Sequence, residues 1–136
     1  MISPYLMFDS NCEEALKHYE KVLGAKIDMM MRNSDAPPEV PYPPERKDKI
    51  MHARFSIGDD VLMASDSPPE HFQKPQGFSV SLQIADPAEA ERKFAALIDG
   101  GTVMMPFGKT FWSQGFGMGV DKFGIPWMIN VPAEGQ

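Results

Sequence analysis

The chain has 136 residues, which is enough for one domain that buries a core without disulfide staples. Its 13 basic and 19 acidic residues give a formal net charge of −6, which argues against a nucleic-acid partner. The single cysteine, Cys12, excludes an intrachain disulfide and is typical of a reducing compartment, and no apolar run approaches the ~20 residues of a membrane span. A cytoplasmic protein with no membrane partner is therefore expected.

The first half of the chain predicts the order strand, helix, strand and hairpin. The helix begins after Asn11, a residue typical of N-caps, and ends at Gly24, with apolar residues at helical spacing between them. Residues 32–48 carry five prolines and many charges, which predicts a long excursion of the kind that often forms a lid. The strands are expected at residues 3–8, 25–31, 50–57 and 61–65.

The second half repeats this order after a proline-rich linker, residues 66–76. Its helix starts with Asp86 as the cap and Pro87 at the first helical position. When Asn11 is superimposed on Asp86, the apolar, acidic and basic positions of the two helices match without a gap. The strands of this half are expected at residues 77–84, 102–107, 111–120 and 125–131.

These patterns predict an α+β fold made of two tandem βαβββ modules, within a single domain that covers residues 1–136. The first module covers about residues 1–66 and the second about residues 77–131. One module alone has a small sheet with one helix, which is too little to bury its face. We therefore expect the modules to pair and to form a curled, mostly antiparallel mixed sheet around a cavity on the face away from the helices.

Residues 110–131 are the stretch of the chain richest in apolar and aromatic side chains. A turn at residues 121–124 divides the stretch into two strands. The first of these strands contains three glycines at alternate positions, which leave gaps where a ligand or another backbone can approach closely. One interpretation is a strongly bent core strand. The other is a pocket with Phe111, Trp112 and Trp127 in its lining.

His52 is the histidine best placed for chemistry, because it lies on a predicted strand and faces the same side as Arg54. One interpretation is a half-exposed or dimer-facing strand residue. The other is a pocket wall in which His52 acts as a general base or a hydrogen-bond donor. Asp66 ends the neighbouring strand and is placed to pair with Arg54 or His52. Cys12 is interpreted as a small packed thiol.

The tandem βαβββ order resembles that of the vicinal oxygen chelate superfamily, which includes glyoxalase I, bleomycin-resistance proteins and extradiol dioxygenases. The segments PYLMFDSNCEEALKHYEKVLGA, IMHARFSIGDDVLMASD, TFWSQGFG and VDKFGIPWMINV resemble its PhnB-like branch, and the resemblance covers essentially the whole chain. Some members of this branch are labelled 3-demethylubiquinone methyltransferase. The chain is too short for a Rossmann-type methyltransferase and has no glycine-rich strand-to-helix loop.

The resemblance implies where a metal would bind in the metal-dependent members. Their ligands are mostly His, Gln or Glu, one from the first and one from the fourth strand of each module. In this chain the four positions fall at Pro4, Met63, Ser79 and Met128. Proline has no side-chain donor, methionine is a soft thioether and a lone serine is a poor ligand, so no metal cofactor is expected.

Two classes of function follow from the resemblance. The first is a metal-independent protein that binds an aromatic or amphipathic small molecule in an apolar pocket. The second is a vicinal oxygen chelate enzyme, a lyase, isomerase or dioxygenase, with an atypical divalent-metal site that uses His52, Asp66 or His71. The resemblance also implies a homodimer. The candidate ligand-binding residues are His52, Met63, Phe111, Trp112, Trp127 and Met128.

Overall fold

The computed structural model describes residues 1–133 of the chain. The chain divides into two compact units, Met1–Gln73 and a second unit that begins at Lys74, and this division lies within the proline-rich linker. Each unit contains one helix and one four-stranded mixed sheet, so the predicted α+β class is confirmed. No helix within residues 1–133 combines the length and the apolar character that crossing a membrane requires.

The first unit has the sheet order β1-β4-β3-β2, with β1 parallel to β4 and the other pairs antiparallel. Its helix α1 buries an apolar stripe that includes Leu16 and Tyr19, and the Tyr19 ring stacks on Phe55 of the sheet at 5.9 Å between centroids. The elements are β1 (Tyr5–Phe8), α1 (Cys12–Leu23), β2 (Lys26–Arg32), β3 (Ile50–Ile57) and β4 (Asp60–Asp66).

The N-terminus of α1 is capped differently from the prediction. Asn11 occupies the cap position, but its side chain makes no capping hydrogen bond. The backbone N–H of Cys12 instead donates to Oδ1 of Asp66 at 2.8 Å, so the last residue of β4 satisfies the first free donor of the helix. The helix ends as expected, because Gly24 adopts the left-handed conformation with φ 70°.

The second unit has the sheet order β5-β8-β7-β6, with β5 parallel to β8 and the other pairs antiparallel. Helix α2 begins as predicted, with the Asp86 carboxylate accepting a hydrogen bond from the N–H of Glu89 at 2.9 Å. The elements are β5 (Val80–Gln83), α2 (Pro87–Ile98), β6 (Thr102–Gly108), β7 (Ser113–Val120) and β8 (Pro126–Pro132).

The three alternating glycines of β7 face α2 and its surroundings. A Cβ added at Gly117 would lie 2.8 Å from the Phe94 ring, and one added at Gly115 would lie 2.5 Å from the Phe107 ring. The protein's own side chains therefore fill these gaps. This packing agrees with the interpretation of β7 as a core strand in which glycines make room for neighbouring side chains. It leaves no space for a ligand to approach the glycines.

Candidate functional site

Each sheet has one face packed against its own helix and one face turned away from that helix, which we call the helix-free face. In β8 the burial alternates, so that Trp127 and Ile129 are buried while Met128 between them is only half-buried. Met128 therefore lies on the helix-free face. Its neighbour across the strands is Met118 of β7, because the two residues are paired in the sheet register.

A groove of about 460 Å³ lies against this helix-free face of the second unit. Its floor is formed by the sheet, with Met118 and Met128 next to each other, and β6 contributes Met104. The chain segment 74–79, which precedes β5, forms the opposite wall. The lining residues are Lys74, Pro75, Gln76, Gly77, Phe78, Ser79, Met104, Met118, Val120, Pro126 and Met128.

Among the residues that the structure describes, the lining of the groove is apolar apart from three side chains of segment 74–79. Lys74 is the one charged residue of this set, and Gln76 and Ser79 are the other polar ones. The groove therefore has an apolar floor and one wall that carries its polar side chains, and no carboxylate within residues 1–133 lines it.

A row of polar side chains lies beside Met128 on the same sheet. Ser81 of β5 is paired with Met128 in the register and accepts a hydrogen bond from the Gln83 amide at 3.2 Å. The Asn130 amide in turn donates to Oε1 of Gln83 at 2.7 Å. This row lies at the β5 edge of the sheet.

Two of the sequence-predicted aromatic residues lie outside the groove. Phe111 and Trp112 belong to the loop between β6 and β7 because β7 begins only at Ser113, and their side chains are 97% and 41% exposed. Their rings meet edge to face at 4.9 Å, and Trp112 also contacts Phe116 at 5.6 Å. They form an exposed aromatic cluster and do not line the groove.

The placement of Trp127 in a pocket wall is wrong. Its indole is fully buried, and its Nε1–H donates to Oδ2 of Asp121 at 2.8 Å. The reason is the parity of β8: Trp127 follows the buried side of the strand, and Met128 follows the other side. Of the predicted residues in the second unit, only Met128 lines the groove.

Met63 and His52 lie in the first unit, on the helix-free face of its sheet. Met63 of β4 is paired with Tyr5 of β1 and with Arg54 of β3. His52 contacts Tyr5: the hydroxyl oxygen lies 3.1 Å from Nδ1, and the ring centroids are 5.7 Å apart. The burial of Ala53 and Phe55 agrees with the predicted placement of His52 on the other side of the strand, together with Arg54.

Asp66 does not pair with His52 or Arg54 as expected. Its Oδ1 accepts from the N–H of Cys12 and its Oδ2 accepts from the N–H of Ile50, both at 2.8 Å. The carboxylate therefore joins the end of β4 to the starts of α1 and β3. Its hydrogen bonds therefore serve the fold.

The four positions implied for metal ligands do not fit a hard divalent ion. In the first unit, Pro4 offers only its backbone carbonyl, which accepts from the N–H of Met63 at 2.9 Å. In the second unit, Ser79 and Met128 both line the groove and bring one hydroxyl and one thioether. Within residues 1–133, no group of three or more His, Cys, Asp or Glu side chains is arranged to hold a metal ion.

A second cavity, of about 580 Å³, lies in the first unit. Residues 32–48 contribute to its lining and contain two short 3₁₀ turns, Asn33–Asp35 and Pro44–Arg46, with backbone hydrogen bonds such as Asn33 N–H to Lys49 O at 3.0 Å. The lining of this second cavity mixes methionines and prolines with charged residues, including Glu45, Arg46 and Glu70. The sequence pattern indicated the excursion but not this cavity.

Cys12 is a packed thiol, as expected. It is fully buried, and this burial raises the pKa of the thiol far above its usual range, with the nearby Asp66 and Glu13 carboxylates adding to the effect. The thiol therefore stays protonated at neutral pH and is not a nucleophile.

Sequence reasoning found Met128 but missed the other groove residues, above all Met118 and Lys74. The register of the hairpin at residues 121–124 was a usable signal, because pairing Val120 with Pro126 places Met118 opposite Met128. No local pattern brings segment 74–79 to this face, because that segment has no regular secondary structure.

Comparison with known proteins gives a consistent result. A family model described as 3-demethylubiquinone-9 3-methyltransferase matches residues 1–130. Protein YjdN from Escherichia coli K12 is 36% identical over 138 residues, which cover 96% of this chain and 94% of that protein. The crystal structure of protein PA1353 from Pseudomonas aeruginosa has a TM-score of 0.88 at 46% identity and covers 97% of both chains.

Two further solved structures extend the similarity. A PhnB protein from Bacillus cereus has a TM-score of 0.79 at 25% identity, covering 96% of this chain and 98% of that chain. A glyoxylase/bleomycin resistance protein/dioxygenase domain from Frankia sp. EAN1pec has a TM-score of 0.67 at 12% identity, covering 100% of this chain and 93% of that chain. The second likeness concerns the fold alone, and it confirms the predicted glyoxalase-like fold.

Proposed function

Because the chain belongs to the PhnB-like branch of the vicinal oxygen chelate superfamily, whose family model matches residues 1–130, we propose that it binds an apolar small molecule without a metal ion. The observation that carries this proposal is the pair Met118 and Met128 on the floor of the groove. Met128 stands at a position where the metal-dependent members are expected to have a ligand. A thioether there favours contact with an apolar surface over coordination of a hard ion.

The size and lining of the groove support a small organic ligand. A volume of about 460 Å³ lies within the range of roughly 300–1,000 Å³ that small-molecule sites occupy. Methionine side chains are flexible and polarizable, so they adapt to a flat ring and contribute about 0.3–1.5 kcal/mol for each sulfur–aromatic contact. Burial of the ligand's apolar surface adds about 25 cal/mol per Å². An aromatic or amphipathic molecule fits these conditions.

The methyltransferase named in the description of the family model is not supported by this fold. Rossmann-type methyltransferases use a doubly wound parallel sheet with a glycine-rich loop at a strand-to-helix turn. Here each unit has a four-stranded mixed sheet with one parallel pair, and one helix. We therefore propose small-molecule binding for this chain, as in other members of the superfamily, and we do not propose methyl transfer.

The proposal is tested with the neutral fluorescent probe N-phenyl-1-naphthylamine. Met118→Glu places a carboxylate on the groove floor and is expected to reduce probe affinity at least about tenfold, because the charge must be desolvated against the ligand. Val40→Glu is the control, since Val40 lies in the first unit, is 38% exposed and lines neither the groove nor the second cavity. Equal affinities for the two variants and the unsubstituted protein would contradict the proposed site.

The metal-independent part of the proposal has its own measurement. Protein purified without added metal is analysed for bound ions, and probe binding is measured before and after dialysis against EDTA. We expect substoichiometric metal and unchanged probe affinity. A stoichiometric divalent ion would instead favour the alternative, an enzyme with an atypical metal site.

We further propose that the protein is a cytoplasmic homodimer. Exposed apolar side chains on the edge strand β6, namely Val103 and Met105, are a surface that a partner can cover. The buried, unpaired thiol of Cys12 suits a reducing compartment. Sedimentation is expected to show a dimer, and a monomer at micromolar concentration would refute this. Fractionation of the source cells tests the location.

A further inference from the structure

Among residues 1–133, Lys74 is the only charged residue that lines the groove of the second unit. It forms no ion pair with any carboxylate of residues 1–133, whereas Lys17, Arg32 and Lys93 each pair with a glutamate. The whole chain carries a net charge of −6, so an uncompensated cation beside an apolar surface is a local exception to its overall charge. Such a cation is available to a ligand.

The polar side chains that the described part of the chain contributes to the groove all come from one wall. Segment 74–79 contributes Lys74, Gln76 and Ser79, while the sheet contributes only apolar residues, Met118 and Met128 among them. An ammonium, an amide and a hydroxyl are all hydrogen-bond donors, and the ammonium has no acceptor capacity. A ligand that matches this groove has a flat apolar body on the sheet side and an anionic oxygen group on the side of the segment.

The arrangement strengthens the attraction when a ligand is bound. The four-carbon stem of a lysine can lie along apolar surface while its ammonium stays at the rim. A ligand that fills the groove displaces water, lowers the effective dielectric constant around the ammonium and strengthens its interaction with an opposite charge. The interaction is expected to depend on ionic strength, since the charge remains near solvent.

We propose that the groove selects apolar molecules that carry a single negative charge on an oxyanion group, such as an aromatic carboxylate or sulfonate, and that Lys74 binds this group. The proposal rests on the proposed binding function, because it specifies the ligand class of the same groove. In this proposal, segment 74–79 recognises the charge of the ligand, and the methionine floor recognises its apolar body.

Two probes with the same ring system test the inference. 8-Anilino-1-naphthalenesulfonate carries a sulfonate, and N-phenyl-1-naphthylamine is the same body without it. The folded full chain is titrated with both, and we expect the sulfonate to bind about five- to tenfold more tightly at low salt, with one site per chain. This preference should shrink as the ionic strength rises to the physiological range.

Variants of Lys74 assign the preference to one residue. Lys74→Gln is expected to weaken the sulfonate about five- to tenfold and to leave the neutral probe within about twofold, while Lys74→Arg retains the preference. Lys109→Gln is the matched control, because it removes the same charge from an exposed lysine that does not line the groove. Near-UV circular dichroism establishes that each variant is folded.

The outcomes separate the two proposals. If the neutral probe binds at one site, but the sulfonate binds no more tightly or Lys74→Gln changes nothing, the inference is overturned and the binding function stands. If neither probe binds to the folded protein, the binding function itself is refuted. If the affinity for both probes falls as protein concentration rises, a second copy of the chain occupies the groove, and the inference fails for that reason.

Discussion

Asp121 is a buried carboxylate that determines the geometry of the strand pair under the groove. Its Oδ1 accepts from the N–H groups of Phe123 and Ile125 at 2.9 and 3.0 Å, and its Oδ2 accepts from the indole of Trp127 at 2.8 Å. These bonds define the turn between β7 and β8 and hold the Trp127 ring on the buried side. Because successive residues of a strand point to opposite faces, the same bonds direct Met128 towards the groove.

Removal of this carboxylate is expected to destabilise the fold. Asp121→Ala leaves three donors without their acceptor, so we expect the free energy of unfolding in urea to fall by about 2–4 kcal/mol. Asp121→Asn keeps one oxygen for the backbone but turns an amide N–H₂ group towards a donor. In the Trp127→Phe background, the step from Asp to Asn is therefore expected to cost less than in the unsubstituted protein. Equal costs in both backgrounds would show that the indole bond is unimportant.

Glu13 of α1 forms an ion pair with Arg32 of β2 and so links the two elements. Both of its oxygens accept from the Arg32 guanidinium, at 3.1 and 2.8 Å, and Lys17 lies at 3.2 Å. The hydrogen bonds from Arg32 are the main cause that lowers the pKa of Glu13 from its usual 4.5 to about 2. A carboxyl group with a lowered pKa in the folded state stabilises the fold above its unfolded pKa.

The pH dependence of stability follows from that direction. The stabilisation by Glu13 is complete above about pH 4.5 and is lost as the pH falls from there through about 2. Glu13→Gln is therefore expected to be less stable than the unsubstituted protein at pH 7, with the difference shrinking over this acidic range. The effect stays small because the pair is partly solvent-exposed. Urea midpoints measure it, with the exposed Glu20→Gln as control; a pH-independent difference would contradict the assignment.

Strand β7 has glycine on one face and larger residues on the other. Gly117 and Gly119 allow α2 to lie close to the sheet, since added Cβ atoms would lie 2.8 Å from Phe94 and 2.9 Å from Ile98. The opposite face presents Met118 to the groove. Because the core face of β7 carries glycines, α2 packs close to the sheet. Because side chains alternate along the strand, Met118 faces the groove.

Gly117→Ala is expected to destabilise the protein by about 1–3 kcal/mol, because the new methyl group overlaps the Phe94 ring in a packed core. Gly108→Ala in β6 is the matched control, since its added Cβ meets nothing nearer than 4.0 Å. Phe94→Leu in the Gly117→Ala background is expected to recover part of the loss, as the shorter side chain makes room. Thermal unfolding measures all three variants. Equal effects of the two alanine substitutions would refute the steric explanation.

The secondary structure was predictable because its signals are local. The Asp86 cap, Pro87 and the apolar stripe that includes Phe94 define α2 without reference to the rest of the chain. The repeat of the two halves defined the βαβββ order. The face of a residue in an aromatic-rich strand is not local, since it depends on register, and Trp127 was misplaced for that reason. The wall formed by segment 74–79 depends on tertiary structure, and the prediction of a strand from residue 77 was wrong there because β5 begins only at Val80.

The two units, taken separately, have the same arrangement of helix and sheet, and each leaves apolar side chains exposed. Each has a four-stranded sheet with its helix on one face. The first exposes Tyr5 and Met7, which are 41% and 43% accessible, and the second exposes Met104. Units of this size bury a smaller fraction of their surface than larger domains do and are marginal alone. We therefore propose that residues 1–136 form a single cooperative domain, with modules at about 1–66 and 77–131.

The chain contains a separate natural probe for each unit. Its only cysteine, Cys12, lies in the first unit, and both tryptophans, Trp112 and Trp127, lie in the second. Cys12 is fully buried, so a thiol reagent applied in brief pulses across a urea series labels it only where the first unit is open. Tryptophan fluorescence over the same series reports the second unit. If the domain is cooperative, the two transitions have the same midpoint.

The Gly117→Ala variant sharpens this test, because the substitution lies only in the second unit. In a cooperative domain the loss of stability is shared, so the midpoint of Cys12 labelling is expected to fall together with that of tryptophan fluorescence. If the units were independent, the fluorescence midpoint alone would fall and labelling would stay unchanged. That result would contradict the single domain, and it would make the groove a property of the second unit by itself.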